Sequence, residues 1–295
     1  MNISNRFEKQ NLIAVKLQGG LGNQLFQYAA GFALARKLNC NLILDARYLG
    51  LGANRIYQLS NFKISGKLAD FPNLNYFPPE STEKQMMNLA RNPRQGFRHA
   101  QEPYFHFWEG FNSLKKRTYL DGYWQSAKYF EEYSESLLKE FQLKYDPGKL
   151  FNSTLTKLSS SKSVGVHIRR GDYATNKQAN KFHGLLSDAY FRNGIKELGI
   201  KTASSNTYFF TDEPTWVAKN FGIEPKQIIS TMGFDDVEEL MLFAATPQKI
   251  LSNSSFSWWG AWLGKSPKVI APRHWFPNNT NNETKDLYLK HWRLV

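Results

Sequence analysis

Apolar positions fall into two series of short runs, each followed by a stretch of helical periodicity. Leu12–Leu17 (L-I-A-V-K-L) has strand length, G-G-L-G-N is a tight turn, and Gln24–Leu38 sets Ala, Leu and Phe at helical spacing. Asn41–Asp45 (N-L-I-L-D) reads as a second strand, so the chain opens as a βαβ unit and predicts an α/β architecture with a parallel sheet. Both periods lapse between Lys63 and Arg117, where F-P-N-L-N-Y-F-P-P-E and R-N-P-R-Q-G-F-R are the irregular, aromatic-bearing sequence expected of substrate loops. Order resumes at Tyr119–Trp124 and in a helix over Ala127–Phe141, and a polar stretch around Y-D-P-G-K-L-F-N-S-T and S-S-S-K-S marks an interdomain region.

The second series predicts strands at Val164–Ile168, Thr207–Thr211, Gln227–Ile229, Lys249–Leu251 and Lys268–Ala271. Helices are predicted at Asp188–Leu198, Thr215–Phe221, Asp236–Ala245 and Ser257–Leu263. The expected organisation is two facing Rossmann-like domains, residues 1–150 and 151–275, with 276–295 packing back on the first.

Composition changes this picture little. Of 295 residues, 41% are hydrophobic and 15% aromatic, which excludes disorder and leaves rings for stacking surfaces. The one cysteine, Cys40, excludes a disulfide framework. The start has no charged segment leading into an apolar one, and no run approaches the roughly 18 apolar residues of a membrane span. A cytoplasmic chain is expected. The formal charge of +13 calls for an anionic partner, which includes an acidic membrane face contacted peripherally from inside. Lysines and arginines are spread rather than blocked, against a dedicated nucleic-acid arm.

Candidate chemistry sits at strand ends. Gly20 and Gly22 open a helix after a strand, but the third position of a dinucleotide fingerprint is Leu25, so a nicotinamide or flavin site is not expected. What survives is a glycine-lined helix N-terminus that brings the Asn23 and Gln24 amides toward an anionic or sugar-bearing ligand, with Asn23 as a plain cap the alternative. The run V-G-V-H-I-R-R-G-D-Y (164–173) ends a strand in His167, Arg169, Arg170 and Asp172. Alternation puts His167 and Arg169 on one face, Arg170 and Asp172 on the other. An arginine fork matches phosphate oxygens, and an Arg170–Asp172 ion pair is a compatible structural use. In I-L-S-N-S-S-F-S-W-W-G-A-W-L-G (250–264) a hydroxyl-rich turn, with Ser254, Ser255 and Ser257 best placed, precedes a helix and suits phosphate; the tryptophans at helical spacing are core. The six histidines lack metal-ligand spacing and no D-x-D pair is present, so no metal or other cofactor is expected.

The ordered segments G-G-L-G-N-Q-L-F-Q-Y-A (19–29), V-H-I-R-R-G-D-Y (166–173), F-H-G-L-L-S-D-A-Y-F (182–191), Y-F-F-T-D-E-P (208–214) and S-N-S-S-F-S-W-W-G-A-W-L (252–263) resemble the motifs of the α-1,2-fucosyltransferase family, glycosyltransferase family 11. The resemblance implies a GT-B fold and inverting, metal-independent transfer of L-fucose from GDP-β-L-fucose to the 2-hydroxyl of a terminal galactose-type acceptor, as in an oligosaccharide or lipid-linked glycan. It implies that Arg169 meets the β-phosphate and His167 the guanine side, with Arg170 and Asp172 supporting the loop or the phosphate. By the same resemblance, Asn23 beside Gly20 and Gly22 lies near the reacting sugar. The turn Asn253, Ser254, Ser255 and Phe256 holds the diphosphate, and Glu239 meets guanine or ribose. His183 and Asp172 are the candidate bases. One departure is the single Tyr190 where a Tyr-Tyr pair is usual. The competing readings are a basic nucleic-acid-binding protein, prompted by the charge, and another nucleotide-dependent α/β enzyme.

Overall fold

The computed structural model describes residues 11–49, 55–69, 97–201, 204–277 and 282–295, the side chains of Asp172 and Ala179 excepted. Contacts divide it into two units, one reaching Lys144 and taking in Lys285–Leu287, the other running from Tyr145 to Thr284 and from Tyr288 onward.

The first unit contains β1 (Leu12–Lys16), α1 (Leu21–Lys37), β2 (Asn41–Asp45), β3 (Lys67–Leu68), β4 (Arg98–Gln101), β5 (Thr118–Asp121) and α2 (Ser134–Glu140). Its sheet runs β3-β2-β1-β5-β4 with all pairs parallel. β1 is buried along its whole length, as a central parallel strand must be, and this forces Lys16 inside. The buried ammonium is matched by Asp121 Oδ1 at 3.3 Å, whose other oxygen lies 3.1 Å from His99 Nε2. Burial works to raise the Asp121 pKa, but the His99 hydrogen bond and the Lys16 charge outweigh it and hold the carboxyl below its usual range. The interval expected to be irregular holds β3 and β4, and residues 70–96 of it lie outside the described residues. The helix expected over Ala127–Phe141 forms as two 3₁₀ turns followed by α2.

The second unit contains α3 (Lys149–Leu158), β6 (Val164–Ile168), α4 (Gly171–Thr175), α5 (Lys177–His183), α6 (Asp188–Glu197), β7 (Thr207–Thr211), α7 (Pro214–Phe221), α8 (Asp236–Ala245), β8 (Gln248–Ile250), α9 (Ser255–Leu263), β9 (Lys268–Ala271) and β10 (Arg293–Leu294). Its parallel sheet has the order β10-β9-β8-β6-β7. The strand expected at Gln227–Ile229 does not form; Pro225 starts a 3₁₀ turn and Ile228 makes a single bridge to Phe209. The polar interdomain stretch contains α3, whose Phe151, Thr154 and Leu158 are buried. Trp258 and Trp259 are fully buried, and each withdraws enough apolar surface for about 4–6 kcal/mol of gross transfer free energy, which fixes α9 firmly on its sheet.

The C-terminal segment divides between the units. Asp286 accepts the Phe107 N–H at 3.2 Å and pairs with Lys128 at 2.5 Å in the first unit, whereas β10 pairs with β9 in the second. Among the described residues no helix is long and apolar enough to cross a membrane.

Candidate functional site

In the second unit the polar residues gather at the carboxyl ends of β6, β7 and β8, the edge where parallel α/β sheets bind ligands. Ile168 pairs with Thr211 in register, so the residues that follow them, Arg169 and Asp212, come side by side. Arg169 Nη1 lies 3.0 Å from Asp212 Oδ2, and the Arg170 N–H donates to Asp212 Oδ1 at 2.9 Å. Arg170 lays its guanidinium over Trp216 at 3.8 Å from the ring centre. The two adjacent arginines therefore have different settings, Arg169 in an ion pair and Arg170 in a stack. A Cβ on Gly171 would fall 2.5 Å from Asp212 Oδ2, so only glycine lets the carboxylate reach both groups.

His167 is buried between Phe256, with ring centres 5.0 Å apart and nearly parallel, and the tilted Phe243 at 5.9 Å. Burial, helped by the positive Arg169, pulls its pKa down to about 3, so the imidazole stays neutral. Its Nδ1 is buried with no hydrogen-bond partner among the described residues, an unusual condition that suits a site shaped for a ligand.

The turn after β8 adjoins the arginine turn, for the Arg169 N–H donates to Ser252 Oγ at 3.3 Å and Phe256 carries the His167 stack. Ser254 is the N-cap of α9 without a side-chain cap bond, and Ser254, Ser255 and Phe256 are half-buried. The first N–H groups of α9 have no partner within the helix, which makes its N-terminus favourable for an anion. Two other polar groups of the turn face inward. Asn253 donates to the carbonyls of His183 and Trp275 at 2.7 and 3.2 Å, and Ser257 Oγ to those of Ser252 and Ser254 at 2.9 and 3.0 Å. The amide of Asn253 thus fastens the α5 end to the turn, which leaves Ser254 and Ser255 as the open hydroxyls.

Glu239 on α8 is reached through a relay: the Thr211 N–H donates to Ser230 Oγ at 2.8 Å, and Ser230 donates to Glu239 Oε2 at 2.7 Å. Burial pushes the Glu239 carboxyl up to about 7. His183 ends α5 stacked on Tyr173, with ring centres 4.5 Å apart. The backbone of Asp172 lies in α4 while its side chain is outside the described residues, and so is the expected Arg170–Asp172 pair. Tyr190 donates to the Leu251 carbonyl at 2.7 Å, a packing role.

In the first unit Gly20 caps α1, Gly22 is buried in its first turn, and Asn23 Oδ1 accepts a hydrogen bond from Gln125 Nε2 at 2.9 Å. Gln24, expected near a ligand, is fully buried; it donates to the Gly19 and Ile56 carbonyls and accepts the Gln58 N–H, so its amide anchors a loop. Asp212, Trp216 and Gln125 are the site-edge residues that pattern reasoning missed. Asp212 was within reach, because residues just past the ends of neighbouring parallel strands become neighbours. Among the described residues no group of three His, Cys, Asp or Glu side chains is arranged to hold a metal ion.

The family model described as Glycosyl transferase family 11 matches residues 2–295. An Escherichia coli alpha-1,2-colitosyltransferase is 32% identical over 92% of this chain and 95% of its own. The Mus musculus galactoside 2-alpha-L-fucosyltransferase Sec1 is 22% identical over 96% of this chain and 74% of its own. Among solved structures, the fucosyltransferase NodZ from Bradyrhizobium superposes with a TM-score of 0.52 at 16% identity, covering 88% of this chain and 94% of that one. A NodZ structure soaked with GDP-fucose gives the same score. The likeness places the fold in the GT-B class.

Proposed function

The chain belongs to glycosyl transferase family 11, and on that premise we propose that it moves L-fucose from GDP-β-L-fucose to the 2-hydroxyl of a terminal galactose-type residue in a glycan, with inversion and without a metal ion. The observation that carries the reading is the junction of two turns: the Arg169–Arg170 turn after β6 is joined to the α9 N-terminus through Ser252 and through the His167–Phe256 stack. A permanent cation beside unpaired helix N–H groups is a setting for a diphosphate.

Bond cleavage at the sugar C1 leaves growing negative charge on the β-phosphate. Arg169 favours that state over the ground state, and Ser254 and Ser255 add hydrogen bonds as GDP departs. The acceptor hydroxyl attacks from the opposite face, converting β to α. In this reading neutral His167 and Glu239 take the guanine side, Arg170 braces the turn from Trp216, and Asn23 stands near the sugar. His183 is the candidate base with a described side chain, and its stack on Tyr173 fixes the ring plane.

The test is GDP release from GDP-fucose with and without galactosides, in EDTA. Acceptor-stimulated release is expected, with the product linkage α-1,2. Activity lost in EDTA and restored by Mg²⁺ or Mn²⁺ overturns the metal-free reaction, and no turnover of any GDP-sugar overturns the whole assignment. A second reading, transfer of colitose, is favoured by the 32% identity to the colitosyltransferase. Colitose lacks the 3-hydroxyl of fucose, so a direct competition of GDP-fucose with GDP-colitose separates the two.

A further inference from the structure

We propose that Gln125 is an acceptor-positioning residue: it orients the Asn23 amide so that Asn23 Nδ2 donates to a saccharide hydroxyl. The assignment rests on the sugar-transfer reading above and adds to it the part of the first unit that takes the acceptor.

The site lies where the topology places a crevice. From β1 the chain lays β2 and β3 to one side, then returns with β4 and β5 on the other, so the order reverses between the neighbours β1 and β5. Ligands of open α/β sheets bind outside the carboxyl ends of strands at such a reversal. Asn23 follows β1 in the first turn of α1, and Gln125 lies four residues beyond the end of β5. The 2.9 Å bond from Gln125 Nε2 to Asn23 Oδ1 therefore joins the two lips of the crevice.

That bond fixes which end of the Asn23 amide faces Gln125 and leaves Nδ2 over Gly19. Gly19 has φ +78°, and a Cβ there would sit 2.4 Å from Asn23 Nδ2, so the absent side chain is the space in which the amide rests. Neither Asn23 Nδ2 nor Gln125 Oε1 has a hydrogen-bond partner among the described residues, and neither atom is among the buried unsatisfied groups. An amide N–H held in one orientation donates to a hydroxyl oxygen and meets a cation unfavourably. The Gln125 lip is itself held, because Glu102 accepts the N–H groups of Tyr123 at 2.7 Å and Trp124 at 3.0 Å.

Steady-state transfer to a galactoside tests the assignment, using Gln125→Ala, the near-isosteric Gln125→Glu, Asn23→Ala, and the Asn23→Ala/Gln125→Ala double variant. Gln125→Ala is expected to raise the acceptor KM about 10-fold, the size of one lost hydrogen bond in a desolvated site, while the KM for GDP-fucose holds. Gln125→Glu removes the donor and sets a carboxylate against Asn23 Oδ1, so its loss is expected to be at least as large. Because Gln125 acts through Asn23, adding Gln125→Ala to Asn23→Ala is expected to cost nothing further. A wild-type acceptor KM in both Gln125 variants overturns the proposal. So do additive losses in the double variant, or equal rises in both KM values. If the wild-type chain turns over no GDP-sugar, the functional reading falls and takes this assignment with it; if wild-type transfer is intact and Gln125 is silent, this assignment alone falls.

Discussion

Asp212 holds both arginines of the β6 turn at once, pairing with the Arg169 guanidinium at 3.0 Å and accepting the Arg170 N–H at 2.9 Å. The arrangement supplies a counter-charge to Arg169 and fixes the backbone of Arg170 in the same stroke. On the proposed function, a diphosphate arriving there would meet a guanidinium whose position is already set.

Loss of that clamp should appear in catalysis. Asp212→Ala is expected to lower kcat/KM for the donor by about 10–100-fold, the scale of a displacement near 1 Å at a reacting centre. Gly171→Ala, whose Cβ would meet Asp212 Oδ2 at 2.5 Å, is expected to act in the same direction. The pair should be less than additive in donor kinetics; wild-type rates in both single variants would rule the clamp out.

The two arginines should separate by what each change damages. Arg169→Ala is expected to lower kcat by about 10²–10³-fold, typical of removing one group that stabilises transition-state charge, with a small change in melting temperature. Arg170→Lys loses a planar stack 3.8 Å above Trp216, so about 0.5–2 kcal/mol of stability should go with it. Thermal unfolding beside single-turnover rates checks both halves.

Glu239 gives a pH signature. Its folded pKa is raised from 4.5 to about 7, so the folded chain binds the extra proton and the associated stability is present below 4.5 and lost as pH rises through 7. Glu239→Gln is expected to leave the melting temperature unchanged near pH 3.5 and to raise stability by at most about 3 kcal/mol near pH 8. If the ionised carboxyl meets guanine as proposed, the same variant binds GDP more weakly at pH 8. Calorimetry at the two pH values reads both effects, and a pH-independent change in stability would contradict the assignment.

Lys249 is fully buried and donates to the Ala244 carbonyl at 3.1 Å, to Ser266 Oγ at 2.6 Å and to the Thr246 carbonyl. It closes the end of α8 that its own backbone leaves open. Lys249→Met is expected to destabilise by about 1–3 kcal/mol, the cost of leaving buried acceptors unpaired, with kcat retained in the folded fraction. Denaturant unfolding checks it; an unchanged midpoint would mean that water replaces the ammonium.

The strands legible from sequence were those with a run of apolar residues, in the interior of the sheet in Val164–Ile168 and at its edge in Thr207–Thr211. β4 was hidden because R-H-A-Q has neither an apolar run nor clean alternation, and β3 and β10 because two residues carry no period. Gln227–Ile229 misled because Ile228 and Ile229 are buried without joining the sheet as a strand. At the site, Arg169 could be placed from its own strand. Asp212 takes a further step, the pairing of β6 with β7 that makes the residues after their ends neighbours, and Gln125 is out of reach, since it meets Asn23 across 102 positions.

The depressed pKa of His167 has a consequence for recognition. An imidazole that stays neutral down to about pH 3 always carries one N–H and one lone pair, never two N–H groups. Caught between Phe256 and Phe243, it cannot change polarity with the cell's acidity. An acid limb in the rate profile is therefore expected to come from another group, and whatever faces this ring meets an uncharged imidazole at every working pH.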